Sequence, residues 1–229
     1  MSQAELSLSR VVFIGRTFDE YLKIFNLSEE ELVGKKVLDC PAGACSFTAI
    51  ANQNDMDVTA TDIAYYHPVT ELENKGLQDI EHAMEYVEKE QNDYLWDDFK
   101  SINELKQNRV QALTECVRDM KQTPERYAPA ILPELPFSDN EFELTLSAHF
   151  MFMYADRLDY DFHVQTIQEL MRVTRKEIRI FPLVDLSSRR YEHLDKILEF
   201  VHAQGWTTEE AKVPYEFQKD ANTMLKIKR

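Results

Sequence analysis

Two aspartates and a glycine carry the strongest chemical signal in this sequence. Asp39 closes the apolar run that begins at Val37, and Gly43 lies in the short turn that follows, before a predicted helix. Asp62 closes a second apolar run about one strand–helix–strand unit later. A carboxylate at such a strand end can accept hydrogen bonds from ribose hydroxyls, and a glycine lets the backbone approach a ligand closely. This order predicts a nucleotide-binding loop at the carboxyl edge of a parallel sheet.

The loop departs from the fingerprint of dinucleotide-binding proteins. That fingerprint, G-x-G-x-x-G, requires glycine at three positions, and these positions are occupied here by Pro41, Gly43 and Ser46. Because two of the three glycines are missing, the sequence disfavours a nicotinamide cofactor and an oxidoreductase of the Rossmann type.

The stretch Val37–Phe47 resembles motif I of the class I S-adenosylmethionine (SAM)-dependent methyltransferases, which is usually written D-x-G-x-G-x-G. Asp39 and Gly43 match the motif, whereas Pro41 and Cys45 stand where the family has glycines. The resemblance therefore rests on the acidic residue and on the central glycine of the loop.

A second segment supports the same resemblance. Leu135–Phe152 is similar to the L-P-F-x-D-x-x-F-D segment that leads into the fourth strand of small-molecule methyltransferases of type 11. Those proteins often have an acidic residue about four positions earlier, where it binds the adenine amino group, but Ile131 occupies that position here. We therefore expect backbone groups or apolar packing to recognise the adenine.

The resemblance implies a cofactor, an acceptor and a set of binding residues. SAM would be the methyl donor, and the acceptor would be a small molecule. The cofactor-binding positions are Asp39, Pro41, Ala42, Gly43, Asp62 and Ile63. Asp62 would bind the ribose, while Asp39 would orient the loop amides or meet the methionine ammonium group. The alternatives are structural, since Asp62 could cap a helix and Ile63 could be a core residue.

His149 is the candidate catalytic residue. It follows the predicted fourth strand, where methyltransferases place groups that meet the acceptor, and a neutral imidazole can remove a proton near pH 7. The alternative is a hydrogen-bonded wall residue, because aromatic and methionine side chains follow it in the sequence. Four further residues are candidates for contact with the substrate: Tyr65, Tyr66, His67 and Tyr154.

Two residues near the start of the chain are candidates for the same site. Arg16 and Tyr21 belong to an amphipathic segment, and in related methyltransferases such a segment often closes over the cofactor. They could contact the SAM carboxylate, or they could be an ordinary surface arginine and a core tyrosine.

Charge and composition limit the classes of function. The 229 residues include 26 basic and 41 acidic ones, a net charge of −15 at pH 7, which repels phosphate backbones and disfavours a nucleic-acid substrate. The early apolar run Val11–Gly15 is far shorter than the ~20 residues that a spanning helix needs, so we expect no membrane span and a cytoplasmic protein. Cys40, Cys45 and Cys116 form no C-x-x-C pair, and we expect packing residues rather than zinc ligands or disulfides. For Cys40 and Cys45, which lie in the predicted loop, the alternative is a redox-sensitive thiol near the cofactor.

The predicted architecture is one α/β domain over residues 1–229. Together with the resemblance, the pattern predicts a Rossmann-like three-layer sandwich with a mainly parallel seven-stranded sheet and an antiparallel last strand. Residues 1–34 are expected to form a helical lead-in. Residues 70–130 are expected to form a helical insertion, because a plain Rossmann unit needs only about half of the distance between the second strand and Leu135. The acidic run Glu71–Lys100 is either a solvated helix face or a cap that favours cationic substrates.

Two rival functions and the oligomeric state stay open at this point. One rival is an oxidoreductase of the Rossmann type, which the loop spacing already weakens. The missing loop glycines, the missing adenine acid and the acidic insertion also fit a SAM-fold protein that binds or interacts without catalysing a reaction. A homodimer is possible, and the sequence does not decide between it and a monomer.

Overall fold

The computed structural model describes residues 12–229. Within this range, seven strands form one sheet in the order β3-β2-β1-β4-β5-β7-β6. The strands are β1 Lys36–Asp39, β2 Asp57–Asp62, β3 Tyr127–Pro129, β4 Phe142–Ala148, β5 Thr174–Phe181, β6 Thr207–Lys212 and β7 Thr223–Lys228. The α-helices are α1 Phe18–Ile24, α2 Glu29–Leu32, α3 Phe47–Gln53, α4 Val69–Lys89, α5 Ile102–Gln122, α6 Tyr160–Val173 and α7 Leu194–Ala203.

The sheet confirms the predicted fold class. Strands β1 to β5 pair in parallel, and β7 pairs antiparallel with both β5 and β6. The central strand β1 lies between β2 and β4. From β1 the chain first adds β2 and β3 on one side of the sheet and then adds β4 and β5 on the other side, so the strand order switches beside β1. In open α/β sheets such a switch point leaves a crevice at the carboxyl ends of the strands, which is where ligands bind.

Helices cover both faces of the sheet and make it the middle of three layers. Consecutive side chains of a strand point to opposite faces, and accordingly Val37 packs with the residues of α1, α3, α4 and α5, whereas Leu38 packs with those of α6 and α7. Both side chains are fully buried. This burial on both faces explains why the central strands read as apolar runs rather than as alternating ones.

The region expected to be a helical insertion contains the two predicted helices, α4 and α5, but it ends in a strand. The sequence analysis did not predict β3, which has three residues and ends at Pro129. A strand this short has no measurable alternation, and a proline is confined to edge positions such as this one. Helices α1 and α2 lie within the expected lead-in, of which residues 1–11 lie outside the described range.

The cysteines and the longest apolar helices were also subjects of prediction. The three cysteines are buried and unpaired with one another, as expected of packing residues. Among residues 12–229, the structure contains no helix whose length and hydropathy would let it cross a membrane.

Candidate functional site

A cavity of about 650 Å³ opens at the carboxyl ends of the parallel strands. Its wall includes the residues that directly follow β1, β3 and β4, namely Cys40, Ala130 and His149, together with Asp62 at the end of β2. Ligand sites in proteins commonly have volumes of about 300–1,000 Å³. The fold thus forms a cavity of ligand size at its switch point.

The loop after β1 uses its backbone amides within the protein. The Ala42 amide donates to the Thr61 carbonyl at 3.0 Å, and the Gly43 amide donates to Oδ2 of Asp62 at 2.8 Å. The Cys45 amide donates back to Ala42 at 3.2 Å. Gly43 has φ +56°, a conformation that other L residues rarely adopt. A diphosphate group needs free loop amides, so this loop is poorly suited to a dinucleotide.

The segment that leads into α1 lies directly on this loop. The Ser46 amide donates to the Arg16 carbonyl at 3.0 Å, and the Arg16 amide donates to Sγ of Cys45 at 3.3 Å. A Cβ atom on Gly15 would lie 2.1 Å from the carbonyl carbon and oxygen of Ala44. Only glycine lets the two backbones pack this closely, which places Arg16 at the cavity.

Replacing Gly15 with alanine is therefore expected to separate this segment from the loop. The atoms in the way belong to the backbone and cannot rotate aside, so we expect a loss of stability at or above the ~1–3 kcal/mol typical of overpacking. Chemical denaturation measures it. Gly205→Ala is the control, because Gly205 also has a special backbone, at φ +81°, but open space around it. A Gly15→Ala loss no larger than that of Gly205→Ala would contradict the close packing.

Asp62 lies where the sequence predicted a ribose ligand. Its two carboxylate oxygens accept from the Gly43 and Ala64 amides, each at 2.8 Å, and its side chain lines the cavity while being only 9% exposed. Burial raises the pKa of Asp62, and the two amides oppose this rise. Each oxygen keeps a second lone pair for a ligand hydroxyl. Asp62 therefore both holds the loop and faces the ligand space.

Asp39 takes a different place from that expected of a ligand-binding residue. It is fully buried, it is not part of the cavity wall, and its Oδ1 accepts from the Tyr21 hydroxyl at 3.1 Å. Burial raises the pKa of Asp39 well above its ordinary value, despite the Tyr21 hydrogen bond. Tyr21 is equally buried, so it closes the space beside Asp39 instead of facing a ligand. Contact between Asp39 and SAM stays a prediction that this arrangement does not favour.

His149 lies on the cavity wall directly after β4. Its backbone has φ 52°, in the left-handed region, and its amide donates to the Phe181 carbonyl at 2.6 Å. Nδ1 is buried and has no hydrogen-bond partner among the described residues. Burial lowers the pKa of His149 well below its ordinary value, and the positive charges of Arg16 and Arg109 act in the same direction. The imidazole is therefore neutral at pH 7, and one of its ring nitrogens keeps an unprotonated lone pair.

Acid is expected to destabilise the fold through His149. Its pKa is lower in the folded state than in the unfolded state, so below pH ~6.5 the unfolded chain takes up a proton that the folded chain does not. Stability should then fall by up to about 1.4 kcal/mol per pH unit more steeply than in His149→Gln. Denaturation between pH 5 and 7 measures this, with His82→Gln, at an exposed position of α4, as control. Equal slopes in wild type and His149→Gln would contradict the expectation.

A buried ion pair that sequence reasoning missed closes one side of the cavity. Arg109 of α5 donates to both carboxylate oxygens of Glu20 in α1, at 2.6 and 3.0 Å, and Tyr215 donates to Glu20 at 3.0 Å. Burial alone would raise the pKa of Glu20, but the charge and hydrogen bonds of Arg109 hold it below its ordinary value. These residues are far apart in the sequence, and no local pattern distinguishes them from solvated charges.

The remaining predicted residues divide into two groups. The cavity wall includes Pro41, Ala42, Gly43, Ile63 and Tyr154, and it also includes Ile131 at the position of the missing adenine acid. The wall does not include Tyr65, Tyr66 and His67. The short 3-10 helix Ile63–Tyr66 directs the first two elsewhere. The Tyr65 hydroxyl donates to the Gly43 carbonyl, and Tyr66 is 52% exposed. Tyr65 thus supports the loop.

Helix α4 and the segment after it form an apolar wall that was also missed. The wall includes Met84 and Val87 of α4 and Tyr94, which stacks on Phe217 with 4.7 Å between ring centroids. The backbone joins the two segments as well, since the Leu95 amide donates to the Phe217 carbonyl at 2.7 Å. The second half of the acidic run therefore turns apolar side chains towards the cavity.

No protein-family model matches the chain. Among solved structures, precorrin-6y C5,15-methyltransferase of Geobacter metallireducens has 14% identity and a TM-score of 0.45, covering 93% of this chain and 87% of that one. The 1,6-didemethyltoxoflavin-N1-methyltransferase of Burkholderia thailandensis, solved with S-adenosylhomocysteine, has 16% identity and a TM-score of 0.45, covering 87% and 74%.

A relative of known sequence resembles the chain along almost its whole length. The Methanocaldococcus jannaschii protein named Uncharacterized protein MJ0045 is 35% identical over 225 residues, which are 98% of this chain and 99% of the relative. Similarity at this level and coverage extends over the loop, the cavity and the segments that cover it. The chain therefore belongs to the same family as MJ0045.

Proposed function

We propose that this protein binds SAM and transfers its methyl group to a small-molecule acceptor. The observation that carries the proposal is the cavity of about 650 Å³ at the switch point, which brings together the loop around Gly43, Asp62 and the neutral His149. Each of these was expected at the site from the resemblance to class I methyltransferases.

The chemistry of the wall suits an adenosine ligand without phosphates. Asp62 offers carboxylate oxygens for the ribose hydroxyls, and the Ala42, Gly43 and Cys45 amides of the loop are already bonded within the protein. Ile63 and Ile131 both line the cavity and provide apolar surface on which an adenine ring can pack. SAM fits this wall better than a dinucleotide does, because SAM has no diphosphate group.

The protein's own part in the reaction is to bind, orient and exclude water. Bound SAM would supply an already activated methyl group on its sulfonium, for an in-line displacement. The partly buried apolar wall keeps water from the reacting groups, and His149, which is neutral, can take the proton that the acceptor loses. The net charge of −15 disfavours a nucleic-acid acceptor, in keeping with a small molecule.

Titration calorimetry of the purified chain with SAM and with S-adenosylhomocysteine tests the binding half of the proposal. We expect saturable binding of both, and no heat with NADH, because the Ala42, Gly43 and Cys45 amides that a diphosphate would need are bonded within the protein. Binding of NADH without binding of SAM would overturn the proposal. Binding of SAM by a protein that transfers no methyl group to any compound in a broad acceptor screen would favour the non-catalytic alternative.

His149→Gln tests the catalytic half once an acceptor has been found. Glutamine keeps the polar character of the side chain but cannot take a proton, so we expect turnover to fall by about 10²–10⁴-fold with SAM affinity nearly unchanged. His82→Gln serves as the control. Intact turnover in His149→Gln would remove His149 from the reaction and leave it as part of the cavity wall.

A further inference from the structure

The cavity has an apolar wall with few charged groups. The charged side chains in the wall are those of Asp62, Arg16, Arg109 and Arg157, and His149 is neutral. An unpaired charge in such surroundings is costly, because little water is present to solvate it. The charges that lack a partner therefore indicate what a bound ligand must carry.

Two of the three arginines already have carboxylate partners. Arg109 is 3% exposed in its side chain and forms the two-pronged ion pair with Glu20. Arg157 lies at the rim, where its side chain is 65% exposed and pairs with Asp156 at 3.4 Å. Neither arginine needs a ligand to balance its charge.

Arg16 is the cation left over. Among residues 12–229, no carboxylate lies within 4.0 Å of its guanidinium nitrogens, and its buried Nε has no hydrogen-bond partner. The nearby Glu20 is already bound by Arg109, Tyr215 and the Thr17 amide. Buried Nδ1 of His149 also lacks a partner within the described range. One positive charge and two unsatisfied polar atoms thus meet at the same cavity.

Arg16 lines the same cavity as Tyr94 and Tyr215. Its positive charge acts on Tyr94 and on Tyr215, where it opposes the rise that burial causes in the pKa of each hydroxyl. These tyrosines belong to the segment after α4 and to the loop before β7. Phe217, which stacks on Tyr94, forms the apolar part of this wall together with Met84 and Val87 of α4.

From this arrangement we propose that the acceptor is an apolar carboxylate, whose anionic group binds Arg16 beside His149 and whose ring or chain packs against α4 and Phe217. The identification of this ligand as the acceptor rests on the proposed function. The binding site itself rests on the unpaired charge and the apolar wall. A cationic acceptor, which the acidic surface of α4 had suggested as one alternative, would face an uncompensated like charge.

Calorimetric titration with 2-naphthoate, and with its neutral amide 2-naphthamide, tests the site without any methyl transfer. We expect 2-naphthoate to bind at least about 10-fold more tightly than the amide, because a charge-assisted hydrogen bond distinguishes the two ligands. In Arg16→Met this preference should disappear while the amide binds as before. Arg118→Met is the matched control, because it removes the same charge from an exposed position of α5 and should keep the preference.

Further titrations decide whether Arg16 binds the carboxylate of the acceptor or that of the cofactor. Saturating S-adenosylhomocysteine should leave 2-naphthoate affinity unchanged; competition between them would assign Arg16 to the cofactor carboxylate and overturn the proposal. Equal affinity for naphthoate and naphthamide in the wild type would also overturn it. If Arg16→Met does not fold, Arg16→Gln provides the same comparison. Naphthoate binding by a protein that does not bind SAM would refute the proposed function and leave the anion site standing.

Discussion

Arg109→Met is expected to lower the free energy of unfolding by about 3–5 kcal/mol, which is a large share of the stability of a domain this size. The substitution removes a charge but leaves Glu20 buried with no cation bonded to it. Both side chains are less than a tenth exposed, so water cannot replace the lost partner. Urea denaturation followed by circular dichroism measures the change.

A double variant separates this effect from a loss of packing. In Arg109→Met with Glu20→Leu, no buried charge of the pair remains, and the replacement of a whole buried pair by apolar residues is often nearly neutral. We expect the double variant to recover much of the lost stability, although Tyr215 loses its acceptor. A double variant less stable than Arg109→Met alone would show that the uncompensated charge of Glu20 is not the cause.

Asp62→Ala is expected to weaken SAM binding by about 10- to 100-fold. A hydrogen bond to a charged group contributes about 1.5–3 kcal/mol, and the ribose would lose such a partner. The same change leaves the Gly43 and Ala64 amides without their acceptor, so the loop itself should become less stable. Calorimetric titration measures the affinity, and thermal unfolding measures the stability of the same sample.

Asp185→Ala is the matched control for the loop effect. Asp185 also accepts from two backbone amides, those of Ser187 and Arg189, at 2.8 and 3.0 Å, but it is not part of the cavity wall. Both variants should lose stability, and only Asp62→Ala should lose affinity. If SAM binds Asp62→Ala as tightly as it binds the wild type, Asp62 is a structural residue of the loop and not a ligand of the cofactor.

The sequence by itself determined the features that depend on near neighbours. Apolar runs that end in Asp39 and Asp62 predicted β1 and β2, and the helical spacing of apolar residues predicted α4 and α5. A few consecutive residue types are enough to predict a buried strand, an amphipathic helix or the turn at Gly43. The same local signals located the loop and the cavity-facing positions of Asp62 and His149, because parallel strands bring their carboxyl ends to one edge.

Only the tertiary structure decided which of these residues face the ligand space and what holds them there. Tyr21 covers Asp39, the 3-10 helix turns Tyr65 away, and Glu20 meets Arg109 across a long stretch of sequence. Contacts between residues far apart in the chain depend on how whole elements pack, and a sequence pattern contains no distance between such elements. The physical reason is that burial and charge compensation belong to assembled surroundings, so that the same arginine is a solvated charge in one fold and an anion site in another.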